Sequence, residues 1–177
     1  DYIEKAFEYA HAADPNALLF YNDYNESDPL KSDKTCELVR SLKEKGIPIH
    51  GVGLQAHWNL YGPALDKIKA ALDKYATLDL QIHITELDMS VFQHEDRRMD
   101  LTEPTNEMLE LQASRYEAVF SLFREYSDVI TNVTFWGAAD DLTWLHDFPV
   151  RGRVNWPLLF NHKQEPKKAF YSVTDFK

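Results

Sequence analysis

The sequence predicts an α/β fold with a parallel sheet: four strands, with helices before and between them. Three observations lead there. Short runs of β-branched and aromatic residues alternate with amphipathic helical patterns. The first two strand-to-strand intervals are about thirty residues, the span of a strand–helix–strand unit. No low-complexity stretch, linker or composition break divides the 177 residues.

The first helix covers Tyr2–Ala13, and the strand ALLFY follows at 17–21. A second helix is expected from Ser32, a favoured N-cap type. It carries Leu38, Val39 and Leu42 on one stripe and stops at Gly46, the usual residue beyond a helix C-terminus. The strand at 49–54 precedes a helix from about Pro63 to Leu78, whose Leu65, Ile68, Leu72 and Tyr75 recur at three- and four-residue spacing. Proline suits a first helical turn. The strand at 80–84 leads into a polar loop at 89–104, then a helix capped by Thr105 with Tyr116, Val119, Phe120 and Phe123 on one face. A strand at 130–136 and a short helix after Pro166 complete the pattern.

Composition narrows the function. Asp and Glu total 29 against 19 Lys and Arg, a net charge of −10. That balance argues against a surface built to grip nucleic-acid phosphates or anionic lipid. Apolar residues at 44% and aromatics at 13% suffice for a packed core. One cysteine, Cys36, leaves no disulfide framework and no Cys-rich zinc site; within a helix it reads as a small buried apolar group. No apolar run reaches 18 residues, so no membrane-spanning helix is expected. The opening DYIEKAFEYAHAADP has no basic start or apolar leader and reads as beginning inside a helix.

In parallel α/β sheets the chemistry gathers at the carboxyl ends of the strands. These ends carry Asn22, Asp23, Tyr24 and Glu26; Gln55, His57 and Trp58; Glu86 and Asp88; and Trp136, Asp140 and Asp141. Glu86 closes the apolar run IHIT where a cleft would open, and it reads equally as a carboxylate capping the next loop. Asp88 lies two residues on, so in extended backbone both carboxylates project from one face. His57 is a base, a ligand or a hydrogen-bonded structural group; no HExxH-like spacing supports a metal. Trp58, Trp136 and Trp144 either fill the core or offer flat platforms for sugar rings. Asp140 with Asp141, and Glu26 with Asp28, are expected to be solvated loop charges, as is the run His94, Glu95, Asp96, Arg97 and Arg98.

The phrases LLFYNDYN (18–25), GIPIHGVGLQAHW (46–58), HITELD (83–88), VTFWGAADDLTWL (133–145) and NWPLLF (155–160) together resemble the C-terminal half of a glycoside hydrolase family 10 endo-1,4-β-xylanase. FQHEDRRMDL (92–101) and FPVRGRVNWPLLF (148–160) are most similar to its non-secreted members, which points to the cytoplasm. The resemblance implies about strands five to eight of a TIM (β/α)8 barrel, with residues 1–177 a partial catalytic domain lacking its N-terminal half. It implies retaining hydrolysis of xylan or xylo-oligosaccharides with no cofactor and no metal. Glu86 would be the nucleophile, His57 would hydrogen-bond near it, and Asp88 would orient His57. Gln55 would meet the sugar of the −1 subsite, Trp136 and Trp144 would wall that subsite, and Asn22 and Tyr24 would line the cleft.

Retention needs a second carboxyl group, roughly 5–5.5 Å from the first. The family carries it in a WDVVNE-like phrase that does not occur here. Glu26 and Asp140 stand at positions the family does not use for proton transfer. The chain alone is therefore expected to be inactive, and to pair with an N-terminal half-barrel or to self-associate. Two other readings stay open: a half-barrel that binds xylo-oligosaccharides without cleaving them, and a glycosidase acting on another β-1,4-glycan.

Overall fold

The computed structural model describes residues 2–175. They form two compact units: the residues up to Ala56 with Asp66–Thr85 and Tyr126–Val133, and His57–Leu65 with Glu86–Glu125 and the residues from Thr134 onward.

The first unit begins with α1 (Tyr2–Ala13), β1 (Phe20–Asp23), α2 (Pro29–Glu44) and β2 (Gly51–Leu54). It adds most of α3 (Leu65–Ala76), the first half of β4 (Gln81–Ser90) and the start of β5 (Ile130–Phe135). β1 pairs with β2 and β2 with β4, both in parallel, as the repeat length requires. Val39, Leu42, Val52, Leu54, Ile68, Leu72, Tyr75, Ile82 and Ile84 are buried and form the core of this unit. Gly51 faces the Phe20 ring so closely that a Cβ would stand 2.0 Å from a ring carbon.

The ends of α2 show how local chemistry sets a boundary. Asp28, not Ser32, is the N-cap: its carboxylate accepts the Lys31 N–H at 2.9 Å. Pro29 opens the helix because its fixed φ fits and its missing N–H costs nothing there. Ser32 then lies one turn inside, and its hydroxyl donates to the Pro29 carbonyl. At the other end Gly46 takes φ +71°, its N–H bonding to the Lys43 carbonyl and that of Ile47 to the Leu42 carbonyl. This pair closes the helix as a Schellman motif. Glu26 is buried, and its carbonyl accepts the Tyr75 hydroxyl, which corrects the expectation that it is a solvated loop charge; Asp28 is exposed, as expected.

The second unit holds β3 (His57–Asn59), the second half of β4, α4 (Asn106–Glu125), the end of β5, a 3-10 turn (Trp144–His146) and α5 (Lys168–Thr174). β3 is a fifth strand that the pattern does not predict. It is three residues long, and Ala56 before it takes φ +60°, which separates it from β2. β3 pairs in parallel with β4, with His57 opposite Asp88 and Trp58 opposite Met89. β4 itself runs to Ser90, well past the expected end at residue 84. Residues 59–62 spend their backbone groups on a local turn, Asn59 and Gly62 bonding to each other, so α3 starts at Leu65 rather than Pro63.

Thr105 caps α4, accepting the Met108 N–H. The buried face of α4 carries Tyr116, Val119 and Phe123, as the spacing predicts, and Trp58 packs against Phe123. Trp58 is thus a core residue, at 7% exposure. Gln112 and Tyr116 donate to the carbonyls of Trp156 and Pro157, tying α4 to the segment before α5. Asp140 also departs from expectation. It is fully buried, pairs with Lys167 at 2.8 Å and accepts the Leu158 N–H at 2.8 Å. Of the charged run 94–98, Asp96 is half-buried and its carbonyl accepts from buried Arg153, while its neighbours are exposed as expected. Cys36 is buried in α2. Among the described residues no helix is long and apolar enough to cross a membrane.

Candidate active site

The second unit brings five of the proposed functional residues together. Glu86 and Asp88 are alternate residues of β4 and so project from one face. β3 sets His57 beside them, Cα-paired with Asp88 on the neighbouring strand. Nε2 of the imidazole lies 3.2 Å from Glu86 Oε2, and Nδ1 lies 3.1 Å from Asp88 Oδ2. Each ring nitrogen therefore faces a carboxylate, an arrangement that suits the doubly protonated imidazolium. Burial pushes the His57 pKa down, but Asp88 and then Glu86 outweigh it, so the net shift is upward. Burial likewise raises the Asp88 carboxyl, against the pull of His57 and of the Trp144 N–H. Trp144 Nε1–H donates to Asp88 Oδ2 at 2.7 Å.

Two indoles border the group. Trp144 meets His57 edge-on with ring centroids 4.9 Å apart, and Trp136 does so at 6.3 Å. They remain 39% and 47% exposed, so both offer ring surface to a ligand, as buried Trp58 does not. Trp136 is fixed by its backbone N–H, which donates to the Leu87 carbonyl in β4. Phe148 stacks on Trp144 at 4.8 Å and 22°. Neither the Trp144–Asp88 bond nor the Phe148 stack has a sequence signal: the first joins residues 56 apart through a side-chain nitrogen.

Asn22, Tyr24 and Gln55 belong to the first unit. Asn22 Oδ1 accepts the Thr85 hydroxyl at 2.7 Å. Tyr24 is exposed, with the Lys31 ammonium 5.0 Å above its ring. Gln55 is half-buried and its backbone N–H donates to the Asp23 carbonyl. Among the described residues no cluster of His, Cys, Asp or Glu fits a metal ion.

A model of glycosyl hydrolase family 10 matches residues 1–176. The chain belongs to this family. It is 61% identical to endo-1,4-beta-xylanase B of Paenibacillus barcinonensis over 173 residues, covering 98% of this chain and 52% of that protein. Identity to an endo-1,4-beta-xylanase of Geobacillus stearothermophilus is 62% over 175 residues, covering 99% and 53%. The crystal structure of xylanase XynB from Paenibacillus barcinonensis, complexed with a conduramine derivative, superposes with a TM-score of 0.96 at 61% identity. It is covered over 98% of this chain and 52% of that one. The chain thus spans about half the length of the curated relatives it matches. Its parallel strand–helix succession is part of the (β/α)8 barrel of family 10.

Proposed function

We propose that this chain supplies the nucleophile-bearing part of a retaining endo-1,4-β-xylanase. The observation that carries the reading is the row Glu86–His57–Asp88, flanked by two exposed indoles. Glu86 attacks the anomeric carbon as the glycosidic C–O bond breaks, the departing oxygen taking a proton from the acid/base carboxyl group; water, deprotonated by that same group, then hydrolyses the glycosyl-enzyme and frees Glu86. His57 donates toward Glu86 and fixes its orientation, and Asp88 holds His57 from the other side. Trp136 and Trp144 pack against the flat C–H faces of the sugar in the −1 subsite. Gln55, Asn22 and Tyr24 contribute polar contacts along the cleft. The acid/base carboxyl group comes from residues outside this chain, in the remaining half of the barrel, which is its partner. General acid help is commonly worth ~10²–10⁴-fold, so the chain by itself turns over xylan negligibly.

The test combines the chain with the complementary half of the Paenibacillus barcinonensis xylanase B barrel and measures reducing-sugar release from xylan, mannan and cellulose. Release from xylan that Glu86→Gln abolishes is the expected result. An inert mixture that still binds xylo-oligosaccharides would favour a binding module, and faster release from another glycan would change the substrate. Turnover by the 177-residue chain alone would contradict the proposal.

A further inference from the structure

The proposed chemistry uses Trp144 as a wall for a sugar ring and gives its indole nitrogen no part. That nitrogen donates to Asp88 Oδ2 at 2.7 Å, while His57 Nδ1 stands 3.1 Å from the same oxygen. The other oxygen, Asp88 Oδ1, and His57 Nδ1 have no aligned hydrogen-bond partner among the described residues. One carboxylate oxygen therefore faces two N–H groups, and the indole makes the shorter, aligned bond.

We propose that Trp144 is a positioning residue whose indole N–H holds Asp88 Oδ2, limits the draw of Asp88 on His57, and so sets the charge that His57 presents to Glu86. The proposal rests on the retaining-glycosidase reading of Glu86. Hydrogen bonds to an ionised oxygen are the strong ones, and Asp88 is fully buried, where such bonds are less screened by water. Electron density committed to the indole is withheld from the imidazolium. Without the N–H, Asp88 becomes a stronger acceptor, His57 keeps its proton to higher pH, and Glu86 faces a more persistent cation. The ring is held by the Phe148 stack and the His57 edge contact, so a sugar on its exposed surface bears on the same donor. The titratable groups acting on His57 are Asp88 and Glu86 from β4, and the Asp88 charge in turn acts on Tyr116 from α4. Burial, then the Asp88 charge, holds the Tyr116 phenol far above neutrality.

The test replaces Trp144 with β-(3-benzothienyl)alanine, which keeps the bicyclic ring and loses the N–H, and in parallel with Phe (Trp144→Phe). The His57 side chain is titrated by NMR in the 177-residue chain. The midpoint is expected to rise by about one pH unit in both variants. If Trp144→Phe fails to fold, the benzothienyl variant decides. A midpoint that stays or falls overturns the proposal. Xylan turnover by the completed barrel with Trp144 intact separates the two claims: its absence counts against the role of Glu86, whereas turnover with an unmoved midpoint counts against the indole tie.

Discussion

The second unit holds two fully buried aspartates, and they serve opposite ends. Asp140 meets a lysine and a backbone N–H, each at 2.8 Å, and Lys167 also donates to the Trp156 carbonyl. Asp88 meets an indole and an imidazole at one oxygen and leaves the other without a partner among the described residues. Burial raises both carboxyls above their ordinary value, so perturbation alone does not mark a site. The partners make the difference. Lys167 is closed off with Asp140, whereas His57 is part-exposed and lies 3.2 Å from Glu86. A closed pair stabilises structure; a pair with an outlet can act on a ligand.

The largest effect that sharpens this contrast is on stability. Lys167→Met strands a buried carboxylate and is expected to cost about 3–5 kcal/mol in urea unfolding. His57→Gln leaves its carboxylates beside a polar, part-exposed group and is expected to cost about 1 kcal/mol. Equal losses would break the distinction.

A smaller effect concerns pH. The folded-state pKa of His57 lies above its ordinary 6.5. Its contribution to stability is therefore complete below that pH and is lost as pH rises through the raised folded value. The stability difference between the parent and His57→Gln should shrink across this window. Asp88 is shifted in the same direction, so its own contribution is complete below the ordinary aspartate value, 3.8, and is lost as pH rises through its raised folded value. A difference that grows with pH would contradict the assigned direction.

Much of the frame is visible in the chain itself. α1 has the bounds its periodicity predicts, and Thr105 and Gly46 close their helices as their types suggest. What escapes the pattern is what depends on distant groups or on very short segments. β3 is too short to show a period, and Asp28 displaces Ser32 because Pro29 opens the helix. Asp140 looks like a loop charge until Lys167, 27 residues away, is brought against it. Alternation along β4 puts Glu86 and Asp88 on one face, yet only the pairing with β3 brings His57 between them. All three stand at strand ends in the sequence, and the family resemblance implies their roles; the Trp144–Asp88 bond carries no such signal.

On the proposed function, Glu86 forms the covalent glycosyl-enzyme intermediate. Incubating the completed barrel with a 2-deoxy-2-fluoro-β-xylobioside that carries a good leaving group, followed by peptide mass spectrometry, tests it directly. One fluoroxylobiosyl adduct is expected, on Glu86, absent in Glu86→Gln. An adduct on Asp88 or any other carboxylate, or steady turnover of xylan without Glu86, would contradict it.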